Sequence, residues 1–325
     1  MTASESLYHA FLNITMTYSN IIYILTLLII FNNTPTSTRN FARFLVNILA
    51  WDFFAHVMMS FFHIYPLLPH LCFQLGGPIL DLTNISYAEQ LGHGFLVLCL
   101  LVTVNTTTAL VLSFQFRYIF IAYSSKIVNV SRKWAYGYCI LVHSFVSIVY
   151  VFLYEDWTIP VCEYPDPLPD KSNMFCFDPI SGKPFMRTML GYMLFFILST
   201  VIFVILSFRA VNTNRRIIGE KTAQIQRIFL MNLLVLSGIP IILGALPMVT
   251  IFVLLYFRDF ELANNIVVVC IVVIMNYGPV MCLGVIFMLK PYRTAVALLL
   301  RNVLSRFVCC KIKGEAVDTE LKTMT

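Results

Sequence analysis

Residues 263–293 read ANNIVVVCIVVIMNYGPVMCLGVIFMLKPYR, a largely apolar run that is uncharged until its basic end. A transmembrane helix needs about 20 mostly apolar residues, so 263–288 is long enough to cross a bilayer. The chain holds further runs of this kind at 9–31, 42–66, 92–121, 134–154, 186–208 and 228–256. The sequence therefore predicts an all-α membrane protein, a bundle of seven transmembrane helices.

The basic residues are divided unevenly between the two sides of this predicted bundle. Of the 22 Lys and Arg residues, all but four lie around the loops after the first, third and fifth runs or in the tail. The exceptions are Lys171, Lys183, Arg187 and Arg258. Because loops on the cytoplasmic side carry the excess of Lys and Arg, we predict that the N-terminus is outside and the C-terminus inside.

The overall composition agrees with a membrane protein. The chain is 59% hydrophobic and only 12% charged, whereas soluble domains carry about 25% charged residues. The formal net charge of +6 follows from the cytoplasmic excess of basic residues, so we predict contact with the lipid bilayer and no nucleic-acid partner. We expect one seven-transmembrane domain at 1–308 and a cytoplasmic tail at 309–325.

A short amphipathic helix is predicted at about 291–307, directly after the seventh run. Pro291 opens this stretch, which mixes apolar residues such as Leu298 with basic residues such as Arg301. Such a helix lies in the membrane interface, and cysteines at its end are typical palmitoylation sites. We therefore predict lipidation of Cys309 and Cys310.

The segments predicted to lie outside the cell hold three cysteines, Cys72, Cys162 and Cys176. An oxidising compartment allows a disulfide between any two of them, and the short closure Cys162–Cys176 is the one we predict. The loop at 155–185 is rich in proline and acidic residues, which favours an irregular lid. N-glycosylation sequons begin at Asn13 and Asn84.

An acidic residue inside a predicted span is a candidate functional group, because burying its charge in the membrane is costly. Asp52 is such a residue, and His56 lies one helical turn further on. A zinc site with His63, His70 or His143 is an alternative, but His63 lies about 10 Å along the helix from His56. We expect a polar pair facing the bundle interior, with no metal, no cofactor and no enzymatic activity.

Residues at the cytoplasmic ends of the helices are candidates for a switch. Arg117, followed by Tyr118, closes the third run, where an arginine can bridge helix ends in an inactive state or simply anchor the interface. Pro240 and Pro279 interrupt the sixth and seventh runs and can kink them. The basic residues proposed to border a partner protein, or to contact anionic lipid, are Arg132, Lys133, Arg215, Arg216 and Arg227.

Short motifs along the chain resemble those of the nematode serpentine chemoreceptors of the Str superfamily, nearest the Srh and Sri groups. The motifs are Lys290-Pro291-Tyr292-Arg293, the segment 65–69 leading to Gly76-Gly77, and the segment 224–227 leading to Pro240. Asp52 and Arg117 also match residues of rhodopsin-like receptors, although Phe116 stands where those receptors have an acid before the arginine.

The resemblance implies a G-protein-coupled chemosensory receptor in the plasma membrane of a sensory cilium, with a small-molecule ligand and a heterotrimeric G protein as partners. Alternatives are a ligand-gated channel subunit and a zinc-dependent seven-helix hydrolase. The 28 Phe and 14 Met residues suit an apolar ligand. Arg187 is a candidate for binding an anionic group of the ligand or for anchoring the helix at the membrane interface. Polar candidates for lining the ligand site are Thr103, Asn105, Thr106, Thr107, His143 and Asn276.

Overall fold

The computed structural model describes residues 3–36, 39–82, 87–123, 132–168, 173–214, 219–257, 262–301 and 305. Within these ranges the chain forms seven long helices and a small sheet. The helices are α1 (Ala3–Asn33), α2 (Arg39–Phe61), α3 (Ala88–Ala122), α4 (Arg132–Glu155), α5 (Gly182–Thr213), α6 (Glu220–Pro240, Ile241–Ala245 and Leu246–Tyr256) and α7 (Ala263–Met288).

These helices have the length and composition of membrane spans. Six of those in the described ranges are long and apolar enough to cross a bilayer, and α2 contributes a shorter apolar stretch at Leu45–Met59. Helices are favoured there because they satisfy every backbone N–H and C=O internally, which lipid cannot do. The predicted seven-helix membrane bundle is confirmed.

A four-stranded antiparallel sheet covers one end of the bundle. Its strands are β1 (His63–Pro66), β2 (Cys72–Gly76), β3 (Thr158–Ile159) and β4 (Met174–Phe177), in the order β1-β2-β4-β3. We call this end of the bundle the sheet end. The connection between α4 and α5, predicted to be an irregular lid, thus supplies two strands that pair with the connection between α2 and α3.

The disulfide of the structure joins Cys72 on β2 to Cys176 on β4. The predicted Cys162–Cys176 closure is wrong, because strand pairing places Cys72 directly opposite Cys176. Cys162 lies on a single 3-10 turn, is exposed and is free. The bond therefore ties the α2–α3 connection to the α4–α5 connection, and it closes a loop of 104 residues in sequence.

The second helix is shorter than predicted. The apolar run was expected to remain helical to residue 66, but α2 ends at Phe61 and residues His63–Pro66 form β1. Pro66 has no backbone N–H and disfavours helical geometry in the residue before it. Pairing of Tyr65 with Gln74 and of Ile64 with Leu75 across the sheet satisfies this backbone instead.

Two apolar cores lie at the two ends of the bundle. The sheet-end core packs the strands on the helices, and its buried members include Met59, Phe95, Tyr150, Tyr154, Trp157, Phe177, Phe185, Met186, Met189, Met193, Phe252, Leu255, Val267 and Met275. Trp157 is stacked between Phe177 and Phe185, at ring-centroid distances of 4.0 and 4.4 Å. Gly92 lets β4 approach α3, because a Cβ there would lie 2.3 Å from Phe175 Cδ1.

The second core lies at the opposite end and is formed mainly by α1, α2, α6 and α7. Residues 290–301 form a further helix, α8, after α7. Tyr292, in the middle of the Lys-Pro-Tyr-Arg motif, is 3% exposed and belongs to this core. Its hydroxyl lies 2.9 Å from Thr34 Oγ1 at the end of α1. The motif therefore docks the start of α8 on the bundle.

Some predicted residues lie outside the described ranges, namely Asn84, Arg215, Arg216, Cys309 and Cys310. Asn13 is exposed but lies within α1, and its sequon partner Thr15 is 1% exposed.

Candidate functional site

Two of the predicted ligand contacts meet, at the interface of α3 with α4. His143 Nδ1 lies 2.6 Å from Asn105 Oδ1, and Asn105 Nδ2 donates to Ser147 Oγ at 2.9 Å. The His143 ring also stacks on Trp51 of α2, with ring centroids 6.2 Å apart. These polar groups satisfy one another, so their observed role is to join three helices.

The other predicted ligand contacts are spread over separate interfaces. Thr107 Oγ1 lies 2.7 Å from Tyr192 Oη of α5, whereas Thr103 donates to the carbonyl of Cys99 on its own helix. Asn276 of α7 accepts a hydrogen bond from Tyr18 of α1. Arg187 is exposed. The structure does not bring the predicted set together in one site.

The sheet-end core is a better candidate for a ligand site than the predicted set. It lies under the disulfide-bonded sheet and combines aromatic rings with the methionines of α5, namely Met186, Met189 and Met193. Methionine side chains are flexible and polarisable, and they are common at surfaces that adapt to different ligands. Ligand pockets are typically apolar with a few polar groups, which this core provides.

Two polar groups in the sheet-end core were missed by sequence reasoning. Tyr150 Oη and Trp157 Nε1 are buried and have no hydrogen-bond partner among the described residues. Tyr150 and Tyr154 lie four residues apart on α4, and Trp157 follows in the turn after the helix ends at Glu155. The spacing of the two tyrosines indicates one shared face, but apolar and aromatic residues occupy all sides of this helix and conceal it.

A polar core links α1, α2 and α7 below the sheet-end core. Asp52 is 1% exposed and accepts a hydrogen bond from Tyr277, while His56 is 3% exposed and lies against the Tyr23 ring, 5.2 Å between centroids. Both residues of the predicted pair are therefore buried. Sequence reasoning did not identify Tyr277 as the partner, because the two residues are 225 positions apart.

Close contact between α1 and α7 in this polar core depends on glycine at position 278. A Cβ at Gly278 would lie 1.7 Å from Tyr23 Oη and 2.7 Å from its Cζ. No side chain larger than hydrogen fits while Tyr23 keeps this position. Pro279 follows directly and is buried, and α7 nevertheless continues through it.

Arg117 joins α3 to α6 near the end of the bundle opposite the sheet. Its Nη2 donates to Gln226 Oε1 at 2.8 Å and to the Gln226 carbonyl at 3.4 Å. A hydrogen bond from a guanidinium is charge-assisted and stronger than one between neutral groups. Arg117 thus bridges two helix ends in this structure, one of the two roles expected of it. Tyr118 packs near Phe203 of α5, and Arg227 is exposed.

The sixth helix changes its winding immediately after Pro240. Residues Ile241–Ala245 form a π-helical segment between the two α-helical parts of α6. Proline removes one backbone donor, and π-helical turns are typical sites of helix distortion. The predicted interruption at Pro240 is therefore present, about four turns from the Arg117–Gln226 bridge along a helix of 3.6 residues per turn.

A histidine pair lies at the sheet end, where the Nδ1 atoms of His9 and His63 are 3.1 Å apart. Of the histidines weighed for a zinc site, His63 lies on β1 and not on α2, and His143 pairs with Asn105. Among the described residues there is no group of three or more His, Cys, Asp or Glu side chains placed to hold a metal ion.

Burial of His63 makes the stability of the sheet end pH dependent. Burial, followed by the charge of His9, lowers the pKa of His63 from 6.5 to about 4. The unfolded chain binds this proton more readily, so the stabilisation is complete above pH 6.5 and is lost as the pH falls towards 4. We expect the Tm of the detergent-solubilised chain to fall below pH 6.5, and His63→Gln to reduce that fall relative to His70→Gln. Equal pH dependence in both variants would contradict this role.

A single family model matches nearly the whole chain. The family model described as serpentine type 7TM GPCR chemoreceptor Srh matches residues 3–302. That range includes all seven long helices, the sheet and α8. Among curated proteins, no match to the chain is found.

Proposed function

This chain belongs to the Srh family of serpentine type 7TM GPCR chemoreceptors, and from that premise we propose that it detects a small, mainly apolar environmental molecule and activates a heterotrimeric G protein. The family is a receptor family, and the chain is a multi-pass membrane protein. The proposal goes beyond family membership in three respects, namely the ligand class, the G protein and a location in the plasma membrane of sensory cilia.

We further propose that the sheet end faces outside the cell. The disulfide Cys72–Cys176 lies at this end, and disulfides persist in oxidising compartments. The opposite end carries Arg39, Arg43, Arg117, Arg209 and Arg227, which suits the cytoplasmic side. Under this orientation a ligand from outside reaches the sheet-end core first.

The ligand site we propose is the sheet-end core between α3, α4, α5, α6 and α7. Phe185, Met186, Met189 and Met193 come from α5, while Phe252 and Val267 come from α6 and α7. A ligand that occupies this core must separate these side chains, and flexible methionines lower the cost of doing so. It shifts the receptor towards an active state only if it binds that state more tightly.

The observation that carries the coupling proposal is the Arg117–Gln226 bridge. It joins α3 to α6 at the proposed cytoplasmic end, and α6 contains the π-helical segment Ile241–Ala245 between this bridge and the sheet-end core. Outward movement of the lower part of α6 would break the bridge and open a cleft beside Arg117. The sequence already suggested Arg117 as a switch residue, and the structure supplies a partner for it.

Replacing Gln226 with alanine should raise ligand-independent G-protein activation. Alanine removes the Oε1 acceptor at 2.8 Å and keeps the backbone carbonyl contact at 3.4 Å. A hydrogen bond to a charged group contributes about 1.5–3 kcal/mol, so loss of the side-chain bond should move the inactive–active equilibrium about tenfold towards activity. The measurement is basal G-protein activation in cells, normalised to receptor at the surface. Gln226→Glu, which keeps the acceptor and adds an opposite charge, should lower basal activation.

Gln224→Ala is the matched control, because Gln224 is exposed on the same helix. Its basal activation should equal that of the wild type. If Gln226→Ala reaches the surface and its basal activation is unchanged with every G protein tested, the bridge does not hold the inactive state.

A further inference from the structure

The hydroxyl group of Tyr150 is buried without a partner in the proposed ligand site. Tyr150 lies on α4 and is 3% exposed, and its Oη has no hydrogen-bond partner among the described residues. Buried side-chain hydroxyls are nearly always hydrogen-bonded, and each exception needs a physical explanation. A group that arrives with the ligand is one such explanation.

The surroundings of Tyr150 are aromatic and uncharged. Its ring lies edge-on to Phe185 and to Tyr192 of α5, with centroids 6.0 and 6.4 Å apart. On the other side of Phe185, the Trp157 ring is stacked at 4.4 Å. These rings offer no counter-charge, so they suit a neutral ligand group.

The polar groups nearest to Tyr150 already satisfy one another. Tyr192 Oη donates to the carbonyl of Val104 at 3.0 Å, and the hydroxyls of Thr107 and Thr108 each donate to the same carbonyl at 2.8 Å. Each of these hydroxyls has one proton and two lone pairs, so they and the carbonyl can satisfy one another without Tyr150. Trp157 Nε1 is also buried without a partner among the described residues, and an indole N–H can only donate. Because the Tyr150 hydroxyl can donate as well, an acceptor is the group that would satisfy both.

We propose that Tyr150 recognises the ligand by donating its hydroxyl proton to an oxygen acceptor, so that the ligand class is a small neutral molecule with an apolar body and a carbonyl or ether oxygen. This inference rests on the proposed function, because it assigns the ligand class of the same site. The apolar body lies against Phe185 and the methionines of α5. The oxygen points towards α4, where the Tyr150 hydroxyl meets it.

Matched pairs of odorants test this proposal. Each pair has a ketone and its methylidene isostere, such as cyclohexanone with methylenecyclohexane and acetophenone with α-methylstyrene, over a range of sizes. The two members have the same shape, but only the ketone accepts a hydrogen bond. We would measure G-protein activation in cells and the Tm of the purified full chain with each compound.

The variant Tyr150→Phe removes the hydroxyl and keeps the ring. We expect ketones to activate the wild type at lower concentration than their isosteres, and Tyr150→Phe to weaken the ketones about tenfold, which corresponds to about 1.4 kcal/mol. The wild type and Tyr150→Phe should respond equally to each isostere. Tyr138→Phe on the same helix is the control, because the Tyr138 hydroxyl pairs with Gln115 outside the sheet-end core and its loss should not change the difference between the two members of a pair.

Several outcomes would overturn the inference. Equal potency of ketone and isostere on the wild type, or ketone potency unchanged in Tyr150→Phe, removes the role of this hydroxyl. A change of Tm in Tyr150→Phe without odorant, with unchanged ketone responses, assigns the hydroxyl to a bound water. If no odorant of any pair activates the chain while its Gln226→Ala variant shows basal activation, the ligand class alone is rejected. If no odorant activates the chain and the Gln226→Ala variant is also inactive, the proposed function is rejected.

Discussion

Replacing Gly278 with alanine should sharply reduce the amount of folded chain. The added Cβ would lie 1.7 Å from Tyr23 Oη, far inside the contact distance of carbon and oxygen. Tyr23 is fully buried, next to Phe53 and His56, so its ring has little room to move. Overpacking of a core costs about 1–3 kcal/mol and occasionally more, and we expect the upper end or beyond. The measurement is the Tm of the solubilised chain together with its abundance at the cell surface.

Controls for this prediction come from the chain itself. Gly191 lies in α5 with open space where its Cβ would be, so Gly191→Ala should be neutral or slightly stabilising. Tyr23→Leu removes Oη and Cζ, and in combination with Gly278→Ala it should recover part of the lost Tm. A Gly278→Ala chain as stable as Gly191→Ala would show that α1 and α7 are not packed as described.

Loss of the disulfide should have an effect at least as large. The double variant Cys72→Ala/Cys176→Ala opens a loop closed over 104 residues, and a closure of that size contributes about 4–5 kcal/mol in the chain-entropy account. We expect lower surface abundance, a lower Tm and weaker ligand responses, because the sheet covers the proposed ligand site. Removing both cysteines avoids an unpaired buried thiol.

The variant Cys162→Ala distinguishes the Cys72–Cys176 disulfide from the Cys162–Cys176 disulfide predicted from sequence. Cys162 is exposed and free in the structure, so its removal should leave the Tm unchanged. If Cys162→Ala lowers the Tm as much as the double variant, the disulfide is Cys162–Cys176 and the register of β2 with β4 is wrong.

The bundle could be predicted from sequence because a membrane span is a local property. The length and hydropathy of each apolar run can be read from its own residues, without knowing the rest of the chain. The sheet could not be predicted in this way. Residues His63–Pro66 continue the apolar run of α2, and only their pairing with β2, itself joined to β4, shows that they are a strand.

The candidate sites show the same division between local and long-range information. Asp52 and Arg117 are recognisable because an ionisable group in or beside a span is unusual. Their partners are not recognisable, since Tyr277 and Gln226 are 225 and 109 positions away. Asn105 and His143 were expected in a ligand site because they are polar, but polar groups in a bundle also join helices, and this is what they do here.

These contacts suggest a physical route through the receptor. The sheet-end core includes residues of α3, α4, α5, α6 and α7. The Asp52–Tyr277 hydrogen bond joins α2 to α7, and the Arg117–Gln226 bridge joins α3 to α6. A ligand that separates α5 from α6 in the core therefore acts on a helix whose other end is held by Arg117. The π-helical segment gives α6 a place to bend between the two.

We propose that this chain couples a small ligand to a heterotrimeric G protein through Arg117. The most direct measurement is ligand-stimulated nucleotide exchange on a panel of purified G proteins by the reconstituted chain, compared with its Arg117→Ala variant. We expect a ketone active in cells to accelerate exchange with the wild type and to fail to do so with Arg117→Ala, although both chains bind it. Ligand binding without any acceleration of exchange, or a ligand-evoked ion current in vesicles that lack G protein, would contradict it.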